Sequence, residues 1–131
     1  MTEPTPQTIQ DVLEEFLRGA APTFEPYAQY SREADALYVF TQDVPTYRRR
    51  VDDRLTVFVS ADDDSRFAGC VIKGMRSLVQ ECLGVEVKFP RDLRAGEVFF
   101  AYALAHPNGW EAMAPSMGDL GRVSDRSVCL S

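Results

Sequence analysis

At 131 residues the chain has the length of one ordinary domain and enough material to bury a single core. Its 45% hydrophobic and 26% charged residues are a globular balance that argues against wholesale disorder, and no apolar run approaches the roughly 18–20 residues that cross a bilayer. A formal net charge of −6 works against general nucleic-acid binding, which needs a basic face to neutralise phosphates. The first residues, M-T-E-P-T-P-Q-T, have neither the basic nor the apolar region of a signal peptide. The expectation is a cytoplasmic protein with no membrane and no nucleic acid among its partners.

Residues 1–7 are expected to be irregular. Ile9, Val12, Leu13, Phe16 and Leu17 then recur at helical spacing, with Thr8 as N-cap and Gly19 as the stop. Such a stripe covers one face of a sheet or grips a partner. After a linker from Ala20 to Pro26, the stretch Tyr27–Gly74 reads as an antiparallel meander and the folding nucleus. A strand is expected at Tyr27–Tyr30, a turn at Ser31–Asp35, and a strand at Ala36–Thr41 with Leu37 and Val39 on one side and Tyr38 and Phe40 on the other. Arg48–Val51 is a third short strand that turns at Asp52-Asp53. Leu55, Val57 and Val59 alternate with Thr56, Phe58 and Ser60, which predicts a half-buried strand. Asp62–Ser65 turns the chain, and Phe67–Lys73, apolar on both faces, is expected at the centre of the sheet. Arg48, Arg49 and Arg50 alternate across a strand and cannot all share one surface. They read as a charged edge, with phosphate or carboxylate recognition as the alternative.

A second helix is expected at Arg76–Leu83, where Met75, Leu78, Val79, Cys82 and Leu83 form a stripe and Gly84 ends it. Val85, Val87 and Phe89 predict a strand that Pro90 ends. Asp92–Ala105 fits two templates. One is a helix capped by Asp92 with Leu93, Phe100 and Leu104 inward. The other, favoured by Gly96 and by Val98-Phe99-Phe100, is a strand. Pro107–Ser131, rich in Gly, Pro, Ser and Met, is expected to wrap the domain irregularly or be mobile. The fold class is therefore one α+β domain spanning residues 1–131. Its mainly antiparallel, five- to six-stranded sheet carries an N-terminal helix and a middle helix packed on it.

Few residues suggest chemistry. His106 is the single histidine and precedes a Pro107-Asn108-Gly109 turn, so it reads as an exposed loop residue. The three cysteines lack C-x-x-C spacing, and no zinc pattern occurs. Cys70 and Cys82 read as small core residues and Cys129 as exposed. Counting from Asp62, Phe67 and Lys73 occupy the positions where a calcium-binding EF-hand loop needs glycine and glutamate. Phosphate-loop, dinucleotide and nucleophile-elbow motifs are absent. The expectation is no catalytic residue, no cofactor and no metal, with a hydrolase pairing His106 and a cysteine as the last alternative. Phe99, Phe100, Tyr102, Trp110, Met113 and Met117 make the C-terminal third rich in large apolar groups. They either complete the core or form an adaptable patch for a partner or a homodimer; on the second reading the surface comprises Phe99, Tyr102, Trp110, Met113 and Met117.

Tyr30, Asp35-Ala36-Leu37-Tyr38-Val39, Val51–Val59, Asp62–Asp64 and Gly69-Cys70-Val71-Ile72 resemble a small bacterial domain family of unknown function with the signature Y-x(4)-D-A-L-Y-[IV]. Cys70-Val71-Ile72-Lys73 departs from that family's usual G-[IV]-E-[IL] return strand. The resemblance covers about a third of the chain, residues 30–74, and carries no catalytic residues over. Some relatives look like neighbours of toxin–antitoxin genes, which implies an antitoxin-like binding role by association. In length, acidity and element order the chain also resembles type III secretion chaperones, which implies a dimer with apolar grooves for an unfolded segment. The expected function is a non-enzymatic interaction module that binds another protein, with the acidic chaperone as the alternative.

Overall fold

The computed structural model describes residues 24–62, 66–83 and 88–130. The helix expected from Thr8 and most of the strand expected at Val85–Phe89 lie outside these residues. Five strands form one antiparallel sheet: β1 (Tyr27–Ser31), β2 (Ala36–Phe40), β3 (Thr46–Arg50), β4 (Leu55–Ser60) and β5 (Phe67–Lys73). Their spatial order is β1-β2-β5-β4-β3, so the expected meander is not sequential. A β1–β2 hairpin lies beside a β3–β4–β5 run, and β5 closes the gap by pairing with β2. Composition explains the placement. Every β5 residue except Lys73 is buried, whereas Tyr47–Arg50 of β3 are all exposed. The apolar strand takes the centre as expected, and the arginine strand takes the edge.

The outer face of the sheet is organised by one row of residues. Tyr27 pairs with Phe40, Phe40 with Gly69, Gly69 with Phe58, and Phe58 with Arg48, one position from each strand. The Phe40 and Phe58 rings stack with centroids 5.1 Å apart although their strands flank β5. They lean together over Gly69, which has no side chain to separate them. A Cβ there would press on the Val39 carbonyl and lie 3.2 Å from Phe40 Cα. Tyr27 extends the row at 5.5 Å from Phe40, and the Arg48 guanidinium lies 5.5 Å from the Phe58 centroid. This cover corrects the half-buried reading of β4, all six residues of which are buried.

Beyond β5 come α1 (Met75–Leu83), β6 (Arg91–Arg94), α2 (Ala95–Ala105), α3 (Pro107–Met113), a 3-10 turn at Ala114–Ser116, α4 (Met117–Gly121) and β7 (Ser127–Leu130). β6 and β7 pair as a separate two-stranded sheet. The strand expected over 96–104 is a helix, because tertiary contacts decide where the local pattern fits both templates. Ala95, Val98, Phe99, Ala101 and Tyr102 form its buried stripe. The Glu97 side chain accepts the Arg94 N–H at 2.8 Å and completes the first turn. Gly96, read as a helix breaker, is a close-approach site: its N–H donates to the Ser124 carbonyl at 2.8 Å, and a Cβ would lie 3.1 Å from that oxygen. Residues 107–130, expected to be irregular, are two short helices and a strand. Pro107 supplies a first helical residue that needs no N–H, and Val128 and Leu130 are buried by alternation.

A single buried cluster joins Leu37, Val39, Cys70 and Ile72 of the sheet to Met75 and Leu78 of α1, Val98 and Tyr102 of α2, and Met113, Leu120, Val128 and Leu130 beyond. The Gly69→Ala substitution is expected to destabilise the fold by about 1–3 kcal/mol, because the methyl group meets backbone in the middle of the sheet. A denaturant midpoint lowered at unchanged slope would verify this, and an unchanged midpoint would refute the Gly69 account.

Candidate functional site

Residues from the β3–β4 turn, α1 and α2 converge on two neighbouring side chains. Asp52 folds its carboxylate back over the turn, and Oδ1 accepts the N–H groups of Arg54 at 2.8 Å and Leu55 at 2.7 Å. This is the local capping expected of aspartate in a tight turn. Its other oxygen, Oδ2, accepts the hydroxyl of Tyr102, a fully buried residue of α2. Burial works to raise the Asp52 carboxyl; the hydrogen bond from Tyr102 and those from Leu55 and Arg54 outweigh it, and the carboxyl stays below its ordinary range. Tyr102 is held above the usual phenol range by burial first and by the adjoining carboxylate second.

Arg54 spreads its guanidinium across three elements. Nη1 donates to the Gly74 carbonyl at 2.5 Å and the Lys73 carbonyl at 3.3 Å, and Nη2 donates to Ser77 Oγ and Glu81 Oε2, each at 3.2 Å. Nε donates to Nε2 of His106 at 3.0 Å. Accepting there, a neutral imidazole carries its proton on Nδ1, which lies 3.9 Å from Asp52 Oδ2. The His106 ring also stacks on Tyr102, with centroids 5.0 Å apart. His106 is thus a half-buried member of a polar knot, which corrects its reading as an exposed loop residue. A cleft of about 370 Å³ opens beside it, lined by Val51, Asp52, Ala105, His106, Pro107, Asn108 and Gly109.

The knot does not bring the sequence-derived candidates for chemistry together. Cys70 lies in the core, where burial pushes its thiol up to about 12. Cys82 is half-buried, and the exposed Cys129 is held above its ordinary range by a hydrogen bond with Asp92. The partners of His106 are Arg54, Asp52 and Tyr102. Its Nε2 lone pair, which a general base would turn to a nucleophile, already accepts from Arg54. Among the described residues, no group of three or more His, Cys, Asp or Glu side chains is placed to hold a metal ion, and no helix is long and apolar enough to cross a membrane.

Tyr30 and Asp35, which open the sequence signature, meet as a second polar contact. Tyr30 donates to Asp35 Oδ1 at 2.6 Å, and the Asp35 carboxylate accepts the Arg76 N–H at 3.3 Å at the start of α1. The role of both residues here is to tie the β1–β2 turn to a helix N-terminus.

The apolar residues of the C-terminal third divide between core and surface. Phe99, Tyr102 and Met113 are buried in the core, Trp110 packs partly against it, and Met117 is 52% exposed. The outward apolar positions of α2 are Phe100 and Leu104, 64% and 60% exposed. Two clefts flank them. One of about 500 Å³ runs past Val79, Cys82 and Leu93; the other, of about 430 Å³, runs past Trp110, Met117 and Leu120. The helix template sets Phe100 and Leu104 inward; the structure turns both outward, because the stripe Ala95, Val98, Phe99, Ala101 and Tyr102 takes the core side of α2.

Comparison with protein-family models, with curated proteins and with solved structures finds no match to the chain.

The Tyr102→Phe substitution, which removes one hydroxyl and leaves the ring, is expected to cost about 1.5–3 kcal/mol at neutral pH, because it deletes a hydrogen bond to a charged acceptor. A carboxyl held low in the folded state contributes stability above its unfolded value near about 4, and that contribution is lost as the pH falls through the folded value. The gap between the native and Tyr102→Phe proteins should therefore narrow below about pH 4 in urea titrations. A gap that stays constant into strong acid would contradict the Asp52 assignment.

Proposed function

We propose that the chain is a non-enzymatic protein-interaction module that engages another protein through the exposed face of α2. The observation that carries this reading is the pairing of Phe100 and Leu104 on one helix face, with Phe100 lining an apolar cleft on each side and Leu104 lining the larger of the two. Large apolar side chains on a rigid helix beside receptive clefts are what an interface centre requires, and such patches on monomers are commonly functional. The engagement of His106 Nε2 by Arg54 supports binding over acid–base catalysis. On this reading the module acts in the cytoplasm of a bacterium, and its occupant is a folded protein with apolar side chains at its contact surface. The acidic secretion-type chaperone is the second reading, favoured by the same two clefts, and differs in taking an unfolded segment.

The Phe100→Asp/Leu104→Asp double variant should stay folded, losing no more than about 1–2 kcal/mol, since both side chains are more than half exposed and the main cost is that of aspartate in a helix. It should lose a partner captured by the native protein at least about tenfold, as expected when interface anchors are removed. Affinity capture from a native lysate, run on both proteins with light scattering for mass, reads the outcome. Equal capture by the two proteins would sink the assignment to α2. A native dimer that becomes a monomer in the variant would name a second copy as the occupant.

A further inference from the structure

Among the described residues, the outer edge of β3 pairs with no further strand, and it carries concentrated positive charge. Val51 N–H donates to the Leu55 carbonyl at 2.9 Å and Ala61 N–H to the Pro45 carbonyl at 2.8 Å, which sets the phase of the β3–β4 ladder. Hydrogen-bonded and non-hydrogen-bonded pairs alternate in an antiparallel ladder. With the register Arg50↔Thr56, Arg49↔Val57, Arg48↔Phe58 and Tyr47↔Val59, residues 47 and 49 direct their backbone groups toward β4. Thr46, Arg48 and Arg50 therefore direct theirs away from it, and β3 ends the order of strands in the described sheet. The side chains follow the same alternation. Arg48 and Arg50 lie on the outer face, where Arg48 covers Phe58, and Arg49 lies on the opposite face.

We propose that β3 is an acceptor edge for an extended acidic segment of another protein, which adds as a sixth strand beside Thr46–Arg50. Backbone groups of Arg48 and Arg50 supply the hydrogen bonds, and carboxylates at alternate positions of the incoming strand meet their guanidinium groups on the outer face. The charge pattern selects this occupant over a second copy of the chain. An antiparallel self-pair centred on Arg48 sets that residue opposite itself with Arg50 at the diagonals, and like charges directly opposite are destabilising. The same arginines that discourage self-association thus admit a strand of opposite sign. One ion pair competes, Arg50 with Asp53 at 2.7 Å, but the two side chains are 71% and 99% exposed. A pair so exposed is weak and exchangeable. The site is separate from the α2 face and does not depend on it.

The test uses the full chain and a short blocked peptide of alternating threonine and glutamate, with amide hydrogen exchange resolved to single residues. Binding should protect the Arg48 and Arg50 amides while leaving Tyr47 and Arg49, already in the ladder, unchanged. It should weaken at least about tenfold in the Arg48→Glu/Arg50→Glu variant and fall with added salt. Methylation of the peptide nitrogens that face β3 should abolish it. The Phe100→Asp variant should bind as the native protein does, so failure of the α2 reading and failure of the edge reading are distinguishable. Absence of peptide binding, binding that survives nitrogen methylation, or protection spread evenly over residues 46–50 would overturn the proposal.

Discussion

Asp52 and Arg54, two positions apart in one hairpin turn, reach the end of β5, α1 and α2. The carboxylate holds the turn through two backbone N–H groups and draws in the hydroxyl of Tyr102 from α2. The guanidinium reaches back to the end of β5, to α1 through Ser77 and Glu81, and to His106 at the end of α2. Opposite charges occupy neighbouring positions, each with its own hydrogen-bond partners, so neither is left uncompensated in its half-buried setting. A planar fork serves this purpose where a lysine ammonium would not, because five donors in fixed directions are needed to meet acceptors on three elements. The knot ties α1 and the end of α2 to the β3–β4 turn and the end of β5 by hydrogen-bond geometry, which specifies contact more tightly than apolar packing does.

The sheet is organised by a different constraint, the close approach of two aromatic rings across its central strand. β5 needs small volume on its outer face at Gly69 so that Phe40 and Phe58 can stack above it, and it needs apolar bulk on its inner face for the core. At the next glycine the chain turns from strand to helix. Gly74 adopts φ +66, and its carbonyl accepts from Arg54. The row on the outer face therefore ends in Arg48 at one edge, while the knot anchors the opposite layer.

This division leaves two unlike surfaces. The α2 face is apolar, cleft and helical, and suits burial of side chains from a partner. The β3 edge is basic and extended, pairs with no further strand among the described residues, and suits a strand of opposite charge. A small acidic protein with one positive edge also has an electrostatic bias toward approach by that edge, effective within about 10 Å at ordinary salt. On the proposed reading both surfaces serve recognition, and His106 is engaged by Arg54, Asp52 and Tyr102 within the polar knot.

Alternation and apolar runs between Tyr27 and Lys73 mark five strands, with β3 at Thr46–Arg50 and not at Arg48–Val51, together with the central place of the most apolar strand and the exposed charge of β3. Strand chemistry is local, and burial demand follows composition. The amphipathic stripe of α1 was legible for the same reason. Strand order was not, because the pairing of β2 with β5 is a contact between distant residues that leaves no mark on the residues between. The state of 95–105 escaped local reading because Val98-Phe99-Phe100 satisfies both periods. Docking of Gly96 on Ser124 and of Tyr102 on Asp52 decided for the helix. The polar knot escaped as well: Asp52, Arg54, Tyr102 and His106 span half a hundred residues and share no spacing. Composition and periodicity thus determined the five strands of the sheet, α1 and the charge of the edge; only the tertiary structure decided strand order, the cover over both faces of β4, the helical state of 95–105, the elements beyond Pro107, and which aromatics and polar groups met, because those depend on contacts the chain makes with its remote parts.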